Sequence, residues 1–528
     1  MKIVLVNPPH TAIGSRIPRE HLPPLGLLSI GGPLLDAGFA VSLVDADLAD
    51  LALPAIVEAV QAAAADVVML GHSGSSSVHD TVVVLCDLLK AANPELIIVY
   101  GGVHPTYHWD EILAACPAID FIVRGEGEET TTRLMRALCN GAALADVAGI
   151  AYRQDGEPVA SAAATMIMDL DSCRVAWELI DHKRYSYWGG KRAVVAQFSR
   201  GCPYLCSYCG QRGFWTTWRH RDPVRFAKEL AQLHREQGVE LINFADELPT
   251  GSRKAWRAFL EALIAEDVPL LLVGSTRASD IVRDADILHL YRRAGVIRFL
   301  LGIESYDEDI LRTVKKGSHT SEDAKAIALM RQHGIISMAT YVVDFKEQTD
   351  RDYWRSYRHL LRYDPDQVQL LYATPHRWTP YYATVQDKKI IQADTRRWDY
   401  KHQVLESVKV PPWRVFLWFK CIEVAMQMRP KAIARVLLHP DADFRHAMRW
   451  YTRIGRRVWC HEVFEFLFRT RHLRIRPTLE RFLGKSLAER EYALARQRKS
   501  PQAMTVVRFT GHTRNDAANP PAAQLERT

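Results

Sequence analysis

The chain of 528 residues has no apolar run approaching the ~20 residues a membrane-spanning helix needs. Its opening, "MKIVLVNPPH", reads as a strand and a turn and lacks the apolar core and small-residue cleavage site of a secretory signal. The expectation is a cytoplasmic protein. Aromatic residues do not alternate with basic ones in any nucleic-acid-binding pattern, and a net charge of +7 is mild, so no nucleic-acid partner is expected. No paired Glu-x-x-His motifs are present, which leaves no carboxylate-bridged di-iron site for activating O2. No short fixed repeat occurs. Nothing calls for disulfides in a reducing compartment, although the chain has nine cysteines. Six of them, Cys86, Cys116, Cys139, Cys173, Cys421 and Cys460, are scattered through apolar helical patterns and read as small buried hydrophobes.

What is present is organised in blocks. Residues 1–145 alternate short β-branched runs ("KIVLVN", "AVSLVD", "DVVMLG", "ELIIVYGG", "DFIVRG") with helical stretches. That is the pattern of βαβ units and predicts a flavodoxin-like doubly wound domain, with ligands beyond the carboxyl ends of the strands. Residues 146–190 read as a linker with a small hairpin whose turn is Asp155-Gly156. Residues 191–394 hold a second alternating series of six apolar runs, which predicts a partial (β/α)6 TIM-type barrel with its chemistry at the strand carboxyl ends. Residues 395–495 are helical in pattern and rich in Trp, Arg and His. From about 496 to 528 the composition turns polar and predicts a disordered tail. The fold class is α/β with a helical C-terminal extension.

The remaining three cysteines stand together directly after the first barrel strand, in "SRGCPYLCSYCGQRGFW", with spacing C-x3-C-x2-C. A structural zinc site wants four ligands, and no second cysteine or histidine pair lies near. Three thiolates on a four-iron cluster leave one iron open to a small molecule, which suits a loop at a barrel mouth.

This motif, with Tyr208 before its last cysteine, resembles the signature of radical S-adenosylmethionine (SAM) enzymes. The resemblance implies that Cys202, Cys206 and Cys209 hold a [4Fe-4S] cluster and that SAM chelates its open iron. It also implies cleavage of SAM to a 5'-deoxyadenosyl radical. SAM contacts are then expected from Tyr208, from Asp246 and Glu247 in "NFADELPT", from Ser275 and Arg277 in "VGSTRAS", and from Glu304 in "LGIES". "TYVVDF" replaces the G-x-P segment usual in that family.

The first domain resembles the cobalamin-binding domains that precede such barrels, through "PPLGLLSIGGPLLDAGFAVSLVDAD", "GHSGSSS", "YGGVHPT" and "IVRGEGEET". Gly71, Ser73, Gly101, Gly102 and Gly125 are the expected cobalamin contacts, since small residues let a large flat ligand approach the backbone. The D-x-H-x-x-G motif that brings a histidine to cobalt is missing, so histidine-off cobalamin is expected. Read as residues alone, the three glutamates of "RGEGEET" would repel a phosphate and argue against a phosphate loop.

Longer stretches, among them "RYSYWGGKRAVVAQFSRGCP", "YCGQRGFWTTWRHRDPVRF", "YATPHRWTPYY" and "RHAMRWYTRIGRRVW", resemble the anaerobic magnesium-protoporphyrin IX monomethyl ester oxidative cyclases of (bacterio)chlorophyll synthesis in photosynthesis. That resemblance implies an oxidoreductase that closes the isocyclic fifth ring, giving divinyl protochlorophyllide with its ketone oxygen from water. It also implies a magnesium-porphyrin substrate and reduced flavodoxin or ferredoxin as electron donor. His376, Arg377 and Trp378 are the expected macrocycle contacts, offering a flat face and polar anchors. The alternative is a cobalamin-dependent radical SAM methyltransferase acting on a pigment side chain or lipid. "RRVWCHEVFEFLFRTRHLRIR" mixes Arg with aromatics and reads either as a solvated basic helix or as a peripheral contact with the inner membrane.

Overall fold

In the computed structural model, the described residues are 1–10, 20–71 and 76–488. The first sheet contains β1 (Lys2–Asn7), β2 (Ala40–Asp45), β3 (Val67–Leu70), β4 (Ile97–Gly101) and β5 (Phe121–Val123), all parallel in the order β2-β1-β3-β4-β5. Five helices cover it: α1 (Leu25–Asp36), α2 (Leu53–Ala62), α3 (His79–Ala92), α4 (Val103–Ala115) and α5 (Glu128–Asn140). Alternate residues of β1 enter two separate cores, Val4 and Val6 on one face, Ile3 and Leu5 on the other. Burial of both faces is why β1, β3, β4 and β5 read as unbroken apolar runs. This is the expected flavodoxin-like order.

The hairpin expected within 146–190 forms, but it is part of the sheet. Its first strand β6 (Ile150–Gln154) adds antiparallel to β5, and β7 (Glu157–Ala160) adds antiparallel to β6 at the edge. Ala151 and Ala160 enter one core and Ile150, Tyr152 and Val159 the other, so the hairpin is buried with the sheet. We accordingly place the end of the first unit at 160.

A short edge strand β8 (Ser186–Tyr187) pairs antiparallel with β9 (Lys191–Ala196). A two-residue ladder, β10 (Ser199–Arg200) with β11 (Arg219–His220), follows. Then come β12 (Leu241–Phe244), β13 (Leu271–Thr276), β14 (Val296–Glu304), β15 (Ile336–Val343) and β16 (Gln367–Tyr372). The six strands β9, β12, β13, β14, β15 and β16 are parallel neighbours in sequence order, the expected six-stranded partial barrel.

The long helix Ala442–Phe468 does not cover the barrel mouth. Its Phe444, Ala447, Met448 and Trp450 pack on Ala193, Leu241, Val273, Ile297 and Ile336, residues toward the amino ends of the strands. Trp450 also donates to the buried Glu20 carboxylate at 2.9 Å. The extension thus closes the bottom of the barrel. Of the six scattered cysteines, Cys86 and Cys116 are buried as expected and Cys173 is half-buried. Cys139, Cys421 and Cys460 are exposed, because each falls on the outward side of its helix.

Candidate active site

The strand β9 leads into the ladder of β10 and β11, which encloses the loop bearing Cys202, Cys206 and Cys209. Gly201 opens that loop at φ +91°, and a Cβ there would stand 2.5 Å from the Thr217 carbonyl oxygen, so only glycine fits. Between the first two cysteines, the Tyr204 ring lies 3.5 Å beneath the Arg277 guanidinium. Arg277 also donates to the carbonyls of Lys316 and Gly317, both at 2.7 Å. Ser207 donates its N–H to the Val314 carbonyl at 2.9 Å and accepts at its own carbonyl from the Tyr381 N–H at 2.9 Å. Segments following β13, β14 and β16 therefore all grip the cysteine loop.

None of the three thiols is in a disulfide. Burial raises Cys209 to about 12, opposed by the Gln211 N–H and reinforced by Cys206, Glu247 and Cys202. Burial likewise raises Cys202, with Cys206 again contributing. Cys202 and Cys209 thus sit where burial disfavours thiolate until a cation enters, and Cys206 is close enough to act on both. Among the described residues no three His, Cys, Asp or Glu side chains close around a point as a single metal ion requires. Three thiolates that each hold a different iron do not need to. The donor set fits a polynuclear cluster.

The acids of "NFADELPT" differ in what holds them. Asp246 is buried and accepts from the Phe198 N–H (3.0 Å), the Ser199 N–H (2.5 Å) and the Ser199 hydroxyl (2.7 Å). Burial still moves it up to about 7. Its carboxylate anchors the strand entering the cysteine loop. Glu247 accepts from the Gly201 N–H at 3.2 Å and is pushed up to about 8, by burial first and also by Asp246 beside it. Ser275 stands half-buried near the end of β13.

Glu304 ends β14 at φ +64°, in the left-handed region, where the β14–β15 register shifts. It accepts from Lys316 at 2.9 Å and from the Thr340 hydroxyl at 3.5 Å. Burial opposes the Lys316 charge, but Glu304 outweighs it and the lysine pKa is raised. Lys316 also reaches the Tyr208 hydroxyl at 3.4 Å, and the Tyr208 ring packs on Phe345 at 4.8 Å. At the end of β15, burial raises Asp344 to about 7.

The first unit meets this loop through charges and rings. Glu126 and Glu128 of "RGEGEET" turn toward the barrel. Glu126 accepts from Arg200 and Arg219, each at 3.0 Å, and from the Ile167 N–H at 2.8 Å, while Glu128 pairs with Arg200. Burial tends to raise Glu126, but Arg219 and Arg200 override it and its pKa is lowered. On the other side Trp378 donates to the carbonyl of Gly210, the residue after Cys209, at 2.8 Å. Its ring stacks on Tyr107 of α4 at 5.2 Å and on His376 at 4.7 Å. His376 is fully buried, which lowers it to about 4, and its Nε2 meets the Tyr400 hydroxyl at 2.7 Å. Arg377 pairs with Glu111 of α4 at 2.6 Å. His376, Arg377 and Trp378 are thus buried in the junction, where the sequence suggested an open platform for a macrocycle. His104 and His108 are buried in α4 and stacked at 4.2 Å.

Gly71, Gly101, Gly102 and Gly125 lie at or just beyond the carboxyl ends of β3, β4 and β5, while Ser73 lies outside the described residues. Gly102 has φ +118°, and a Cβ placed on it would meet nothing within 4 Å, so backbone faces open space there. Thr106 ties the turns together, donating to the Gly102 carbonyl (2.7 Å) and accepting from the Gly125 N–H (3.0 Å). Open backbone at Gly102, at the carboxyl edge of a parallel sheet, fits a large planar ligand approaching there.

Comparison with known proteins accords with this geometry. The B12 binding domain family matches residues 18–135, and the Radical SAM superfamily matches residues 196–360. A TsrM radical SAM methyltransferase from Kitasatospora setae, solved with cobalamin and a [4Fe-4S] cluster, shares the fold. The TM-score is 0.66 at 14% identity, covering 88% of this chain and all of that one. An anaerobic magnesium-protoporphyrin IX monomethyl ester cyclase of Rubrivivax gelatinosus is 32% identical over 74% of this chain and 70% of its own. The corresponding cyclase of a Synechocystis strain is 55% identical over 94% of this chain and 100% of its own.

The chain belongs to the anaerobic magnesium-protoporphyrin IX monomethyl ester cyclase family.

For this cyclase-family chain the cofactor set is a [4Fe-4S] cluster, SAM and cobalamin, divided between the barrel and the first domain. Among the residues that surround the cysteine loop, sequence reasoning missed Lys316, Arg200 and Arg219. Lys316 sits in "VKKGSHT", which looks like an ordinary solvated charge pair, and only its burial marks it. The two arginines flank the cysteine motif in sequence, and their complement was visible as the acidic run "RGEGEET".

Proposed function

We propose that this protein closes the isocyclic ring of the chlorophyll skeleton without O2, converting magnesium-protoporphyrin IX 13-monomethyl ester to divinyl protochlorophyllide with the ketone oxygen taken from water. The match to the Synechocystis cyclase over nearly the whole chain carries this reading. A methyl-propionate methylene becomes a ketone and its neighbouring carbon joins the macrocycle, so the product gains one oxygen and loses four hydrogens. When bound, the cluster, SAM and cobalamin would supply hydrogen abstraction from an unactivated carbon and a sink for the electrons. We assign Cys202, Cys206 and Cys209 to the cluster. Glu247, Ser275, Glu304 and Lys316, with the Tyr208 ring, line the SAM side of the loop. Asp246 and Arg277 hold that loop in place. The edge at Gly71, Gly101, Gly102 and Gly125, together with Ser73, is assigned to cobalamin in its histidine-off state.

His376, Arg377 and Trp378 are better read as the joint that presents one unit to the other, because stacking and ion pairing already occupy their faces. The electron donor in this reading is a reduced flavodoxin or ferredoxin. The cyclase works in the cytoplasm with a peripheral contact at the inner membrane. The test is anaerobic incubation of reconstituted protein with the magnesium-porphyrin ester, SAM, cobalamin and reductant, followed by pigment spectrum and product mass. The product expected carries one more oxygen and four fewer hydrogens than the substrate. A product heavier by one CH2 would move the protein to the methyltransferases.

A further inference from the structure

The helix Pro412–Gln427 is apolar on two faces. Val415, Phe419, Ile422 and Met426 are buried against the barrel side. Trp413, Leu417, Cys421, Val424 and Met428 form a second stripe at steps of four, four, three and four residues, and all five are exposed. A helix that is apolar all round belongs in a core or against lipid, yet this stripe has no cover among the described residues. The next helix, Pro430–Leu438, leaves Ile433, Leu437 and Leu438 exposed, the last at 79%. The long helix Ala442–Phe468 packs beside both, with the Phe416 and Phe466 rings stacked at 4.0 Å. Its outer side ends in Phe464, Leu467 and Phe468, all exposed.

The charge around this surface is predominantly positive. Residues 412–476 contain fourteen Lys and Arg against five Asp and Glu, in a chain whose whole net charge is +7. The acids are largely turned inward: Glu423 and Glu462 pair with Lys420, at 2.6 and 2.5 Å, and Asp441 pairs with Arg292. Arg449, Arg453, Arg456, Arg457, Arg471 and Arg474 are exposed and make no ion pair among the described residues. Arg453 and Arg457 stand on the same helix stripe as Cys460, Phe464 and Leu467. No described helix is long and apolar enough to cross a membrane.

We infer that the surface formed by Trp413–Met428, Ile433–Leu438 and Arg453–Phe468 lies on an anionic lipid bilayer, with the apolar stripes in the headgroup boundary and the arginines on acidic lipids. Uncovered apolar area together with unpaired cations is the combination that interfacial attachment uses. A protein partner would account for the apolar stripes but would need its own acidic surface. Access to an apolar macrocycle, the purpose of such attachment, rests on the proposed cyclase function; the attachment itself rests on the surface alone.

The test is flotation of the full chain with vesicles under anaerobic conditions. Wild-type protein should float with phosphatidylcholine vesicles containing phosphatidylglycerol, float poorly with phosphatidylcholine alone, and be released by high salt. Leu417→Glu with Leu437→Glu should cut partition by about tenfold or more, and Arg453→Glu with Arg457→Glu should abolish the preference for anionic vesicles. Val84→Glu, at an exposed apolar position of α3, should change nothing. Cluster absorbance of each variant reports folding. Equal flotation with neutral vesicles, or unchanged flotation of the Leu417/Leu437 variant, would overturn the inference. So would a wild-type dimer that ignores vesicles and becomes monomeric on Leu417→Glu, since the surface would then be a self-interface. Failed flotation with intact turnover of detergent-dispersed substrate removes this inference and the membrane contact while ring closure stands, and flotation without turnover removes the ring-closure reading alone.

Discussion

Glu126 offers the sharpest test of how the cobalamin unit is held to the cluster loop. Its side chain is 3% exposed, as is that of Arg219 3.0 Å away, and Arg200 completes the cluster at 14%. A pair this buried gains Coulomb energy in a poorly screened site, and removing one partner strands the other's charge. That imbalance typically costs about 3–5 kcal/mol. Glu126→Gln keeps the shape and one acceptor oxygen for the Ile167 N–H, so the loss isolates the charge. Arg219→Met removes the opposite charge and leaves most of the stem. Each single variant should destabilise the junction by about 3 kcal/mol, and the double variant should cost much less than the sum, with a coupling of about 2–3 kcal/mol. Denaturant unfolding followed by cobalamin absorbance, which reports the first unit, and by cluster absorbance, which reports the loop, gives the four corners of the cycle. A coupling near zero, with single variants costing under about 1 kcal/mol, would show that the pair behaves like a surface contact and that the units are joined by other means.

Other outcomes follow from the same geometry. Cys206→Ala should abolish the cluster absorbance and SAM cleavage, whereas Cys421→Ala, on an exposed helix face, should leave both intact. Arg277→Lys should retain the charge but lose the planar stack on Tyr204 and the fork onto two carbonyls. SAM Kd by equilibrium dialysis should then rise about tenfold, from the loss of about 1–3 kcal/mol of charged hydrogen bonding. Because the folded pKa of Glu126 lies below its ordinary 4.5, its stabilisation is complete above that pH and is lost as pH falls through the lower folded value. An acid titration of junction stability should thus show a fall below pH 4.5 in wild type that is blunted in Glu126→Gln.

The two parallel sheets were legible because each strand is a short apolar run bounded by helix-length patterns, and burial on both faces makes such runs conspicuous. The cysteine loop was legible because all its thiols are local in sequence. Contacts between distant segments were not. Glu126 and Arg219 are 93 residues apart, and each alone looks like a solvated charge. Trp378 looked available to a macrocycle because sequence does not reveal that Tyr107, from another domain, lies against its ring. Asp246 carried the right residue type in the right place for a SAM contact, but its three donors, from Phe198 and Ser199, assign it to the loop entry instead. The hairpin's turn was plain from Asp155-Gly156, whereas its pairing with β5 depends on a shared core that no local signal records.

Central to the proposed function is that ring closure draws its oxygen from solvent, in a protein whose sequence offers no O2-activating di-iron motif. The direct measurement is product mass after strictly anaerobic turnover in water enriched in 18O, with finished unlabelled product incubated alone to correct for exchange at the ketone. Divinyl protochlorophyllide heavier by a single 18O substitution is the result expected. Unlabelled ketone formed in labelled water would contradict it.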